Sequence, residues 1–215
     1  MRIRDARIVA TAVGPAGFPT EGLPEVAFLG RSNAGKSSLL NALSGRRELA
    51  RVSGTPGKTR ALHFFHVERL DDDDRIRTLL FVDLPGYGFA RVAKSERAAW
   101  QRLVESYLTG RAPLRAAVLI QDIRRDVSDD ERDLVAWLAE RGVPVLVALA
   151  KSDKLKAGAR GLRLRALRAQ YGLDEARVFA TAAPTKLGVD ALWAAIDAFV
   201  DAGAAARPGA DQSNP

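Results

Sequence analysis

The stretch Gly30-Arg31-Ser32-Asn33-Ala34-Gly35-Lys36-Ser37 constrains this chain more than any other. Two glycines bracket four residues, and Lys-Ser follows, which is the pattern of a phosphate-binding loop. The apolar run Val26-Ala27-Phe28-Leu29 before it reads as a buried strand. Ser38-Leu39-Leu40-Asn41-Ala42-Leu43 after it reads as the first turns of a helix, with Gly45 as a stop. Glycines let the backbone curl so that several N–H groups face one hollow, and the helix start adds its positive dipole end. Such a hollow suits polyphosphate. Lys36 would reach the β- and γ-phosphates as a point charge, and the Ser37 hydroxyl suits Mg2+. The loop alone says nucleotide, not which one.

At 215 residues the chain is long enough for one good-sized domain with short extensions. It has no cysteine, which excludes disulfides and thiolate metal sites and fits a reducing compartment. No apolar run approaches the roughly 18 residues of a membrane span. Met1-Arg2-Ile3-Arg4-Asp5 lacks the apolar core of a secretory signal, so a cytoplasmic protein without membrane contact is expected. The net charge of +7 favours an anionic partner such as RNA, although an arginine- and alanine-rich composition alone would also produce it.

In chain order, residues 6–12 form a candidate short edge strand within an N-terminal extension, 1–22, and Gly14–Pro19 is turn-rich. The main domain is expected over 23–201. After the first strand and helix, residues 46–60 lose periodicity and carry Arg46, Arg47, Arg51, Lys58 and Arg60. They read as a basic loop of a length more often functional than idle. Strands follow at 61–68 and 75–82, joined by Asp71–Asp74; the acid run is either an exposed turn or a metal site. A helix carries Ala99, Trp100, Leu103, Val104, Tyr107 and Leu108 at helical spacing. Trp100 and Tyr107 read as core aromatics, with base stacking as the alternative. Further strands are expected at 116–121, 143–149 and 177–181, and helices from Asp129, over 157–170 and over 188–200. His63 and His66 read as strand-surface residues. From Ala202 to Pro215 the composition is that of a disordered tail. Alternation of strands and helices predicts an α/β fold: a mostly parallel six-stranded sheet with one antiparallel edge strand and helices on both faces.

In such a sheet, ligand groups gather at the carboxyl ends of strands. Gly30, Asp83 and Lys151-Ser152-Asp153 all stand at such ends. Asp83 opens Asp83-Leu84-Pro85-Gly86, the arrangement that holds Mg2+ through water, while Gly86 offers an unobstructed N–H to a γ-phosphate. An ionised Asp153 can accept both adjacent donors of guanine, N1–H and N2–H2; adenine presents no such pair. Lys151 can lay its alkyl stem over the purine.

With these residues in register the chain resembles the EngB (YihA/YsxC) family of ribosome-biogenesis GTPases, within the TrmE–Era–EngA–YihA group. The resemblance is carried by the run Pro24–Ser38 around the phosphate loop, by Pro56-Gly57-Lys58-Thr59, by Phe81–Ala90 and by Asp122-Ile123-Arg124. It spans about residues 5–200 and implies a P-loop NTPase fold of the Ras-like G-domain type. It also implies a monomeric, slow, Mg2+-dependent GTPase that assists late assembly of the large ribosomal subunit, with ties to the cell cycle, cell division and septation. By motif match Thr59 joins Ser37 and Asp83 on Mg2+, and the catalytic set is Lys36, Thr59 and Gly86. Gly57, Lys58, Thr59, Arg60 and Ala61 would lie along the phosphates. Leu84 and Pro85 complete the segment at the γ-phosphate, and Ala180-Thr181-Ala182 would approach the guanine. Asn33 matches the asparagine that in related GTPases supports a potassium ion. Tyr87 stands where Ras-like enzymes carry a water-orienting Gln, which implies slow intrinsic hydrolysis. Two departures stand out: Ala150 precedes Lys151 where Thr or Asn is usual, a loss of about 1 kcal/mol if one hydrogen bond goes, and Ala180 stands where Ser is usual.

The nucleotide state is expected to switch segments 46–60 and 86–95 and with them the affinity for pre-ribosomal RNA or protein. The basic clusters 46–60 and 154–168 are candidate rRNA contacts, with solvated faces as the alternative. A nucleotide-regulated binding module with negligible turnover, and a small-molecule kinase, are the competing readings.

Overall fold

The computed structural model describes residues 2–50, 61–71, 73–86 and 94–205, the side chains of 94–100 and 204–205 excepted. Seven strands form one sheet: β1 (Arg2–Ala12), β2 (Glu25–Gly30), β3 (Leu62–Leu70), β4 (Ile76–Asp83), β5 (Leu114–Asp122), β6 (Val145–Ala150) and β7 (Val178–Ala180). Their order is β1-β3-β4-β2-β5-β6-β7. From β4 to β7 neighbouring strands are parallel, whereas β3 runs antiparallel to both β4 and β1. The parallel strands are buried along almost their whole length, because crossover helices cover both faces.

The sheet therefore has seven strands rather than the expected six. The N-terminal segment is the edge strand expected over 6–12, but longer: it pairs along all of β3, from Arg2 opposite Leu70 to Ala12 opposite Leu62. Register shifts between Ile3 and Asp5 and between Ile8 and Ala10 bend it, and Arg2, Arg4 and Arg7 stay exposed. Bulges and charges of this kind blunt an open edge. With β1 in place His66 is buried, and His63 is half-buried, bonded to the Thr11 hydroxyl at 3.1 Å, so neither is a plain surface residue.

Helices α1 (Lys36–Leu43) and α5 (Val189–Ala205) cover one face, packing Leu39, Leu40, Leu43, Leu192, Trp193 and Ile196 into one apolar cluster. Helices α2 (Lys94–Leu108), α3 (Asp129–Glu140) and α4 (Ala157–Tyr171) cover the other, through Leu103, Tyr107, Leu138 and Leu167. Helix α3 begins with a capping box, the Glu131 carboxylate accepting the Ser128 N–H at 2.8 Å. Tyr107 is a core residue unavailable for base stacking: it is fully buried and donates to the Glu25 carboxylate at 2.9 Å. Burial pushes its phenol well up. Arg111 completes this knot, donating from Nε to Glu25 at 3.0 Å and to the Pro19 carbonyl at 2.6 Å, which pins the N-terminal segment to the foot of β2. The Trp100 side chain lies outside the described residues. Helix α5 continues through Ala205, past the point where the tail was expected to begin, and residues 206–215 lie outside the described residues.

Trp193 ties α5 to the rest. Its indole N–H donates to the Leu43 carbonyl at 3.1 Å, its ring packs on Phe81, and the Arg69 guanidinium lies 5.0 Å from the ring centre. Arg69 also pairs with Asp197. Burial pushes the Asp197 carboxyl up, against the pull of Arg69. Trp193→Ala is expected to cost about 3–5 kcal/mol of stability, read from urea unfolding midpoints.

Candidate nucleotide-binding site

Parallel pairing aligns the ends of five strands. Phe28 stands opposite Asp83, Gly30 opposite Ile120, Asp122 opposite Ala150 and Leu149 opposite Ala180. Strand β2 lies at the switch point: β4 flanks it on one side and β5 on the other, and the chain after it crosses in opposite directions. The phosphate loop leaves from that tip.

The loop is built on close main-chain approach. A β-carbon at Gly30 would sit 2.7 Å from the Ile120 carbonyl oxygen. One at Gly86 would sit 3.3 Å from both the Gly30 oxygen and the Ser32 nitrogen. The turn then closes through Ala34 N–H to the Arg31 carbonyl at 3.0 Å, with Asn33 left-handed at φ 64° and Gly35 at φ 113°. Lys36 and Ser37 thus fall in the first turn of α1, where free N–H groups and the helix dipole face the hollow. The Ser32 hydroxyl is buried with no hydrogen-bond partner among the described residues. At the mouth of the loop it is a polar group free to meet an incoming ligand.

Lys36 pairs with Asp83, both side chains being largely buried. The Leu84 N–H donates to the Phe28 carbonyl at 3.1 Å, which holds the Asp83-Leu84-Pro85-Gly86 turn against β2. His63 faces the same pair: burial pushes its imidazole down, Asp83 opposes this and Lys36 adds to it.

On the other side of the loop, Lys151 takes the left-handed conformation, φ 61°, and its Nζ donates to the Asn33 carbonyl at 2.6 Å. Ser152 is fully buried; its hydroxyl donates to the Leu149 carbonyl at 2.8 Å and its N–H to the Thr181 carbonyl at 3.0 Å. The Thr181 N–H returns to Leu149 at 2.8 Å, so the Lys151–Asp153 turn and the Ala180–Ala182 turn form one unit. Asp153 is partly accessible, beside Lys154 at 3.2 Å. Ala150 is buried, its β-carbon 3.2 Å from where one on Gly35 would be.

The structure therefore brings together Gly30 to Ser37, Asp83 to Gly86, Ala150 to Asp153 and Ala180 to Ala182. Ala61 is buried just before β3. Gly57, Lys58, Thr59, Arg60 and Tyr87 lie outside the described residues, as does most of segments 46–60 and 86–95. Two residues were not singled out individually from the sequence. Asp122, at the tip of β5, contacts Lys151; the strand-end rule that selects Asp83 and Lys151 would have found it. Asn41, buried in α1, accepts the Ala50 N–H at 2.8 Å and donates to the Ala50 and Arg47 carbonyls at 3.0 Å, holding the start of the basic loop. A lone Asn on an apolar helix face was its signal.

Residues 25–151 match the family described as 50S ribosome-binding GTPase. Over 212 residues the chain is 46% identical to the probable GTP-binding protein EngB of Anaeromyxobacter sp. (strain Fw109-5), with 98% of each chain covered. The chain belongs to the EngB family of GTP-binding proteins. Its likeness to the Bacillus subtilis (strain 168) member is 41% over 202 residues, covering 94% of this chain and 100% of that one. In fold it is similar to a crystal structure of a probable GTP-binding protein engB, with TM-score 0.61, 22% identity and 83% and 99% of the two chains covered. It is also similar to Era in complex with MgGDPNP and nucleotides 1506–1542 of 16S ribosomal RNA, with TM-score 0.65, 20% identity and coverage of 89% and 59%. The protein is a P-loop GTPase. Among the described residues no helix is long and apolar enough to cross a membrane.

The contact of Gly30 with Ile120 yields a paired test. Gly30→Ala is expected to cost about 1–3 kcal/mol, because the neighbour is main chain and cannot swing away. Gly14→Ala, with nothing within 4 Å, is expected to stay within about 0.5 kcal/mol. Urea unfolding of both measures the difference.

Proposed function

We propose that this GTPase is an assembly factor for the large ribosomal subunit, changing its affinity for pre-ribosomal RNA or protein between GTP and GDP states. The observation that carries the nucleotide part is the meeting of three strand tips: the phosphate loop after β2, Asp83 after β4 and Lys151-Ser152-Asp153 after β6. In this reading the amides of Gly30, Arg31, Ser32, Asn33, Ala34 and Gly35 hold the polyphosphate, and Lys36 bridges the β- and γ-phosphates. The Gly86 N–H binds the γ-phosphate, and Asp153 reads guanine between Lys151 and Ala180–Ala182. Lys36 and Asp83 exchange their mutual pairing for phosphate and metal. Ser37 and Thr59 would hold Mg2+ with Asp83, the last through water, an all-oxygen donor set that suits a hard cation. Mg2+ would neutralise charge across the β- and γ-phosphates.

Asp153→Asn is expected to lower GDP affinity by at least about a hundredfold and to raise affinity for xanthosine diphosphate, since the amide can pair with the 2-oxo group. Titration with both nucleotides measures this, and unchanged guanine preference would overturn the assignment. Asn33 is the proposed support for a potassium ion, whose charge beside the phosphates would act in place of an arginine finger. Steady-state GTP turnover is then expected to be slow in sodium and faster in potassium; equal rates would remove the ion from the mechanism.

The ribosomal part is supported by the description of the matching family and by basic surface. That surface is narrower than the sequence implied. Arg163 donates to the Ile123 carbonyl at 2.9 Å and to Asp126 at 2.8 Å, and Arg168 donates to the Glu175 and Val178 carbonyls at 3.2 and 3.1 Å. Lys156, Arg165 and Arg47 remain exposed; Lys154 and Arg46 are exposed too but pair with Asp153 at 3.2 Å and Asp5 at 3.1 Å. Lys156→Glu with Arg165→Glu is expected to weaken large-subunit binding and to lower the slope of log affinity against log salt by about one unit or more. Co-sedimentation across a salt series tests it.

A further inference from the structure

We propose that Asp122 is a positioning residue of the nucleotide site, holding the Lys151 ammonium across the phosphate loop through the chain Arg124–Asp122–Lys151–Asn33. The inference rests on the reading of Lys151 as part of that site.

The Lys151 ammonium has two oxygens in reach: the Asn33 carbonyl at 2.6 Å and Asp122 Oδ2 at 3.1 Å. A lysine side chain is long and loses much rotamer freedom when fixed, so one carbonyl alone holds it weakly. The second, charged partner is what confines it. Asp122 is itself fixed on several sides. The Arg124 guanidinium donates to it twice, at 2.9 and 2.7 Å, and the Arg124 N–H donates at 3.1 Å. Its strand stands in register with Ala150, and the Ile123 N–H donates to the Ala150 carbonyl at 3.0 Å. Asp122 is also largely buried, and the Arg124 guanidinium beside it holds its carboxyl well below the usual carboxylate range, so the charge persists.

The residue at 150 makes this brace matter more. An alanine there has no side-chain polar group to offer the phosphate loop. The tie between the base-reading turn and the phosphate loop therefore runs through the Lys151 ammonium, and its direction is set by Asp122. A guanidinium on the outside of the molecule is thereby linked, through one buried carboxylate, to the carbonyl of Asn33 in the phosphate loop.

The test is a double-mutant cycle on affinity for fluorescent GDP. Lys151→Met removes the ammonium and keeps the alkyl stem. Asp122→Asn is expected to weaken GDP binding about tenfold, the worth of one charge-assisted hydrogen bond, and to cost nothing further in the Lys151→Met background. The same loss in both backgrounds, or no loss in either, overturns the proposal, because Asp122 would then act on the fold alone or not at all. Wild-type affinity in Lys151→Met would instead overturn the reading of Lys151, and the proposal with it. Thermal unfolding of each nucleotide-free variant accompanies the titrations. If Asp122→Asn does not fold, Arg124→Gln at the half-exposed end of the chain takes its place. It is expected to lose part of the affinity with Lys151 present and none without it; equal loss in both backgrounds counts against the brace.

Discussion

The tips of β2 and β5 approach so closely that no side chain fits between them. A β-carbon at Gly30 would stand 2.7 Å from a main-chain oxygen, and the turn at Gly86 closes over the same spot. The phosphate loop therefore starts from a place where main chain packs on main chain. Its hollow is lined by amides that the fold, rather than rotamers, holds in position. Such preorganised dipoles need no rearrangement when an anion arrives. Lys36 and Asp83 share this hollow and neutralise each other there. Removing either partner alone would strand a buried charge, which is costly. A ligand that supplies both a phosphate and a cation can part them, and this is the chemistry proposed for the GTP-bound state.

Positive charge in this molecule serves two ends that composition cannot separate. Arg69, Arg111, Arg163 and Arg168 hold elements together by reaching carboxylates or carbonyls of other segments. Lys156 and Arg165 are exposed on and beside α4. Each of the four arginines that hold elements together also pairs with a carboxylate, so they add nothing to the net +7, and a smaller set of residues is left for an anionic partner.

Much of the fold and site was legible because both follow local rules. The apolar runs of β2, β5 and β6, the glycine spacing of the phosphate loop and the acidic start of α3 each announce their element. The strand-end rule then predicts which loops meet. What escaped depends on partners distant in sequence. Arg2, Ile3 and Asp5 look like a polar leader until β3 is there to pair with them, and His66 looks exposed until β1 covers it. Arg163 reads as one of a basic row on α4, yet its carboxylate partner, Asp126, lies in another segment. Asp122 stands at a strand end as Asp83 does, but its link to Lys151 emerges only once β5 stands in register with Ala150, which no periodicity in either strand encodes.

Asn41 lies on α1, the same short helix that begins with Lys36 and Ser37, and its amide grips residues 47 and 50. The helix is consequently a stiff strut with the phosphate cradle at one end and the root of the basic segment at the other. That root is clamped through Ala50 to the helix whose first residue is Lys36, so the two ends of one short element are held at a fixed separation.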